Sequence, residues 1–80
     1  SIFKNYPHHE VIMPVILSGE YIQDNLECIS LEQEKIDRAL IQANIEVKKI
    51  IYASYFEGFL TYYYKNSSKV QDIKGCKLKI

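Results

Sequence analysis

Hydrophobic positions along this chain fall into three runs, each with its own period. From Val11 to Leu17 the sequence VIMPVIL is continuously apolar and stops at Ser18-Gly19, a length that suits a buried strand better than a helix. Pro14 has no N–H to give to a ladder, so the strand should start near it or turn that position away from a neighbour. Ser18-Gly19 followed by Glu20-Tyr21-Ile22 predicts a tight turn into a short second strand, and hence a small hairpin. The second run has helical spacing: Ile36, Leu40 and Ala43 recur on one stripe with Ala39 alongside, while Glu32, Lys35, Asp37 and Gln42 lie off it. This predicts a main amphipathic helix from about Leu31 to Ala43, packed by one face on a sheet.

Local signals bear on where that helix begins and ends. Ser30 with Gln33 has the form of a capping box, and Glu32 and Glu34 put negative charge in the first turn, where the helix dipole favours it. Glu34 and Arg38 make an i, i+4 pair worth about 0.2–0.5 kcal/mol, which supports the helix without deciding it. Asp24 reads as the N-cap of one earlier helical turn over Asn25, Leu26, Glu27 and Cys28. Asn44 is suited to a left-handed position that closes the main helix.

The third run, Ile50 to Tyr64, has two β-branched and aromatic stretches around Glu57-Gly58 and predicts a second hairpin. Alternation puts Ile50, Tyr52, Ser54 and Phe56 on one face of the first strand, and Ile51, Ala53 and Tyr55 on the other. In the return strand Phe59, Thr61 and Tyr63 oppose Leu60, Tyr62 and Tyr64. Neither face is cleanly polar. That pattern fits a strand pair covered by the helix on one side and by something else, such as a partner chain, on the other. Tyr52, Tyr55, Tyr62 and Tyr64 are therefore candidate interaction residues. The plainer reading is that tyrosines suit strands, because a ring can bury its body and keep its hydroxyl wet.

Together these elements predict a small α/β (α+β) domain, in which two hairpins form one mixed sheet packed on one main helix. Residues 1–11, with Pro7 and no period, read as an arm or linker, and residues 12–65 as the domain. Residues 66–80 read as a tail, in which Val70, Ile73, Cys76, Leu78 and Ile80 are placed to add one short strand.

Composition narrows the function classes. Eighty residues make one domain, near the size at which a single core only just suffices. Ten basic and ten acidic residues give a formal charge of zero, which disfavours nucleic acid as a partner, although five of the ten basic residues lie from Lys65 onward. No apolar run reaches membrane-span length, and the first ten residues lack the build of a signal peptide. The start on Ser1 leads us to expect a segment of a longer chain. Cys28 and Cys76 have neither zinc-knuckle nor redox-motif spacing and are expected to stay reduced, as in a cytosolic protein. His8 and His9 have no Cys, Asp or Glu cluster beside them to complete a metal site. There is no phosphate-binding glycine loop and no nucleophile elbow. The carboxylates of Asp24, Glu27, Asp37 and Glu57 fall at caps, exposed helical positions or turns. Catalytic, cofactor and metal residues are therefore expected to be absent, and the protein is not expected to be an enzyme.

The string from Pro14 through Gly19 to Asn25-Leu26 follows a Pro-(x)4-Gly-(x)5-Asn-Leu pattern. Ser30-Leu31 at a helix start, Leu40 near its end, Tyr52-Ala53 opening a strand and Gly58 at a turn follow in order. In these residues the chain, from about Ile12 to Tyr64, resembles the C-terminal cytosolic domain of YetF-type bacterial membrane proteins, a family of unknown function. It departs at Leu40-Ile41, where the family commonly has Leu-Arg, at Asn44, where it has Gly, and in a shorter hairpin turn. The resemblance implies transmembrane helices upstream, this domain on the cytoplasmic side of the cell membrane, and often a spore-forming source. It offers no catalytic residues. The expected function is a non-enzymatic interaction or oligomerisation domain, forming a homo-oligomer. The alternative is a small-ligand-binding or regulatory sensor domain, which needs a concave apolar pocket.

Overall fold

The computed structural model describes residues 11–65 and 72–80. The arm, with His8 and His9, and the first part of the tail lie outside the described residues. β1 (Met13–Leu17) turns into β2 (Glu20–Tyr21), and α1 (Gln23–Cys28) and α2 (Gln33–Gln42) follow. A 3-10 turn over Val47–Lys49 then leads into β3 (Ile50–Phe56), β4 (Phe59–Lys65) and β5 (Ile73–Lys79). The sheet order is β2-β1-β3-β4-β5, with every neighbouring pair antiparallel. The α+β class expected from the sequence holds. The sheet is antiparallel throughout rather than mixed, because each hairpin reverses the chain and the helical crossover returns β3 against β1.

Two-residue turns close both hairpins. Ser18 and Gly19 have φ of 50° and 79°, and Glu57 and Gly58 have 47° and 86°. Paired positive φ values give the turn handedness that matches the strand twist. Pro14 is accommodated by a bulge: Pro14 pairs with Ser54 and Ile16 with Ala53, so Val15 is the extra residue. The bulge turns both Val15 and Ile16 into the core, where each is fully buried. The Pro14 carbonyl accepts a hydrogen bond from Asn25 Nδ2 at 2.9 Å, and the Val15 carbonyl accepts one from Ile22 N–H at 2.8 Å. Entry into α1 thus covers the outer rim of β1.

Both helices end alike. In α1, Ser30 N–H reaches the Glu27 carbonyl and Leu31 N–H the Leu26 carbonyl; in α2, Asn44 N–H reaches Ile41 and Ile45 N–H reaches Leu40. With Ser30 at φ 54° and Asn44 at φ 61°, these are two Schellman closures without glycine. Asn44 sits as its sequence position predicts. Ser30 does not open a capping box, because it is engaged in ending α1. The N-cap of α2 is Glu32, without a side-chain cap bond. Asp24 likewise lies in the first turn of α1, whose N-cap is Ile22.

The core lies between the helices and one face of the sheet. Met13, Val15 and Ile16 of β1, Leu26 and Cys28 of α1, and Ile36 and Leu40 of α2 meet Ile50, Ala53, Leu60 and Tyr62 of β3 and β4. The tail supplies β5, which pairs with β4 along its whole length. Cys76 and Leu78 of β5 pack against the core.

Candidate interaction surface

Register and burial separate the two faces of the sheet. On β4, Leu60 and Tyr62 are buried while Phe59 and Tyr63 are each 41% exposed. The pairs Leu60↔Leu78 and Tyr62↔Cys76 carry the core side onto β5, and Phe59↔Lys79, Thr61↔Lys77 and Tyr63↔Gly75 carry the opposite side. Across β3, Tyr52, Ser54 and Phe56 pair with Tyr63, Thr61 and Phe59 on that opposite side, and Leu17 of β1 joins them through Tyr52. Among the described residues no helix lies on this side: the helical residues of the core all meet the other face. An antiparallel sheet with one open face is common, but such a face is ordinarily polar. Here it presents a band of rings.

The rings are arranged. Tyr52 and Tyr63 have centroids 6.3 Å apart at 36°. The Tyr63 ring lies over Gly75, where an added Cβ would come within 2.7 Å of it, so the missing side chain on β5 makes the bed for the ring. Lys77 Nζ sits 5.6 Å from the centre of the Phe59 ring, within cation–π range. Ser54, 8% exposed, lies on this side in the middle of the sheet. Leu17 and Ile73 add apolar area at 55% and 40% exposure.

The four tyrosines selected from the sequence are divided between the faces. Tyr52 is on the open face. Tyr62 is in the core, and Tyr55 and Tyr64 pack against it; Tyr62 and Tyr64 stack at 5.9 Å between centroids. Burial, and then the neighbouring Cys76 thiol, hold the Tyr62 phenol above its ordinary value. The open-face residues that sequence reasoning did not select include Phe59, Tyr63, Lys65, Lys77 and Lys79. The signal for them was in the tail, where Cys76 and Leu78 alternate with Lys77 and Lys79: a period of two that marks β5 and shows which side of β4 is covered.

A second concavity lies at the C-terminal end of α2. It is an open groove of about 420 Å³, lined by Leu40, Ile41, Ile45 and Val47 with Asp37, Glu46 and Lys48 at its polar positions. Beside it Tyr21 Oη donates to Asp37 Oδ1 at 2.5 Å, and Gln33 joins Gln23 to the same carboxylate, at 2.7 Å from Gln23 Nε2 and 3.5 Å to Asp37 Oδ2. These bonds tie β2, α1 and α2 together. Cys28 and Cys76 are both free thiols. Among the described residues no three His, Cys, Asp or Glu side chains gather where a metal ion could be held, and no helix is long and apolar enough to cross a membrane. Comparison of the chain with protein-family models, with curated proteins and with solved structures gives no match.

Proposed function

We propose that this chain is a non-enzymatic interaction domain that self-associates through the open face of its sheet. The observation that carries the reading is the band of Tyr52, Phe59 and Tyr63 on a face that none of the described helices covers, with Leu17 and Ile73 exposed beside it. Aromatic residues concentrate at protein interfaces, where a rigid ring brings large contact area at little cost in side-chain entropy. With the resemblance in Pro14 to Leu26 and Ser30 to Gly58, the reading extends to a cytosolic domain of a bacterial membrane protein, anchored by helices elsewhere in its chain and clustering the copies that carry it. A spore-forming source belongs to the same proposal.

A second reading, a small-ligand sensor, is favoured by the apolar groove at Leu40, Ile41, Ile45 and Val47. Of its polar lining groups Asp37 is already engaged by Tyr21, so we place it second. Light scattering across a concentration series tests the first. Wild type is expected to gain mass with concentration, and Phe59→Glu and Tyr63→Glu to stay monomeric with an unchanged circular dichroism spectrum. A wild-type chain that is monomeric throughout rejects self-association and moves attention to the groove.

A further inference from the structure

We propose that a second contact extends the self-association: β5 of one copy pairs with β5 of another, antiparallel, across a two-fold axis at Cys76. The inference rests on the self-association reading and adds where copies join beyond the open face. β5 stands at the end of the sheet order, and among the described residues no strand pairs with its outer side. Its outward backbone groups can be named. Ile80 N–H donates to the Gly58 carbonyl at 2.8 Å, and Phe59↔Lys79 is the next pair along. Backbone groups alternate in direction along a strand, so the even-numbered residues of β5 bond to β4, and Ile73, Gly75, Lys77 and Lys79 turn their N–H and C=O outward. All four are exposed. Such a row is a template for another strand unless the edge is shortened, broken by proline or a bulge, covered, or charged. β2, at the opposite edge, is two residues long. β5 has seven residues, no proline and an unbroken register on β4, which leaves its lysines as its protection.

Those lysines choose a partner and a register. In a two-fold antiparallel pair each face of the sheet continues into the same face of the other copy, so odd-numbered residues come opposite odd and even opposite even. Centring the pair on Lys74, Lys77 or Leu78 sets lysine against lysine, and like charges directly opposite are destabilising. Centring it on Cys76 sets Ile73 against Lys79, Lys74 against Leu78 and Gly75 against Lys77, so that each pair holds one lysine and one uncharged residue. All seven residues are engaged, and every outward N–H and C=O of β5 finds a partner. Centring on Gly75 also parts the lysines, but leaves Leu78 and Lys79 beyond the partner's β5. The strand is thus complementary to itself in one full-length register. An edge pair by itself is weak, because it buries no face. It forms between copies that the open face has gathered, and by laying two open faces side by side in one continuous sheet it makes the face contact bivalent.

Cys76 reports the contact. On the two-fold axis it lies in a non-hydrogen-bonded pair with its own copy, where Cα atoms are about 4.5 Å apart, within the roughly 4.4–6.8 Å that a disulfide spans. Diamide, which takes up the two thiol hydrogens, should convert the associated 80-residue chain to a covalent dimer. Cys76→Ser, which keeps Cys28, should give none. Phe59→Glu should cross-link at least about tenfold more slowly at the same concentration, because the second copy is no longer held nearby. Lys77→Pro removes an outward N–H and no bond to β4, a place where an edge strand tolerates proline. It should keep the circular dichroism spectrum, stop at a face-joined dimer in light scattering where wild type grows larger, and abolish cross-linking; Lys77→Ala, which keeps the N–H, should still cross-link. If wild type associates without a Cys76 dimer, or folded Lys77→Pro cross-links as wild type does, the edge pairing is overturned while the face contact stands. If Phe59→Glu cross-links as fast as wild type, the edge pairing stands and the face contact falls. A wild-type chain that neither gains mass nor cross-links overturns both.

Discussion

Gly19 is held by two independent constraints. Its φ of 79° lies where side chains with a Cβ are strained, and a Cβ there would also come within 2.9 Å of the Lys48 carbonyl oxygen. The close approach has a purpose: Ser18 N–H and Gly19 N–H donate to the Ile51 and Ile50 carbonyls at 2.7 and 2.8 Å, pinning the first turn to the start of β3. Gly19→Ala should therefore cost about 1–3 kcal/mol, read as a lowered melting temperature. Gly58→Ala, where nothing lies within 4 Å, should cost less. Equal losses would show that turn strain, not the approach to Lys48, sets the requirement. Tyr21 gives a pH signature. Burial first, and then the hydrogen bond to Asp37 and its charge, raise this phenol well above its ordinary value. A raised native value means the stabilisation is complete below the unfolded value of about 10 and decays as pH climbs from there toward the native one. The urea midpoint should fall above about pH 10, and less steeply in Tyr21→Phe, which cannot ionise. An unchanged alkaline slope in that variant would assign the fall to other groups, Tyr62 among them.

At the scale of elements, what could be read from the sequence depended on whether an element's own residues determined it. The two turns, the main helix and the second hairpin were legible because Ser18-Gly19, Glu57-Gly58 and the Ile36-Leu40 stripe carry their conformation locally. The faces of β3 were not. Strict alternation joins Ile50 to Tyr52, but Ile50 pairs with Tyr64 and Tyr52 with Tyr63, so Ile51 is an inserted residue. Ile50 consequently turns into the core, 1% exposed. A bulge is invisible to a period-two count, and this one is fixed by a distant partner, the turn at Ser18-Gly19 that binds the carbonyls on either side of it. Ser30 misled for a related reason: a serine ahead of a helix is a good N-cap, but the preceding helix claims it first through the Leu31 to Leu26 closure. β5 was legible only in part, since its period of two is carried by lysines on one side and only Cys76 and Leu78 on the other. The candidate surface suffered most, because choosing between Tyr62 and Tyr63 requires knowing which side of β4 the helices cover.

For the whole molecule, that choice becomes a division of labour between adjacent residues. Leu60 and Phe59 follow one another in β4, yet Leu60 is fully buried against the helical layer and Phe59 is on the open face. A domain of this size has on the order of 5 kcal/mol of net stability, so one core truncation removes a large fraction of it. Leu60→Ala should lower the free energy of unfolding by about 2–5 kcal/mol through lost burial and the cavity left behind. Phe59→Ala, measured at a dilution where the chain is monomeric, should change it by no more than about 0.5 kcal/mol, because its ring touches only neighbours on an uncovered face. At high concentration the order reverses. Phe59→Ala should weaken association, whereas Leu60→Ala, where enough of it remains folded, should associate as wild type does. The crossed outcome is what distinguishes a surface kept for a partner from a sheet face that is merely apolar. If Phe59→Ala proved as destabilising in the monomer as Leu60→Ala, the rings would be working as a second, minor core, and the open face would lose its claim as an interface.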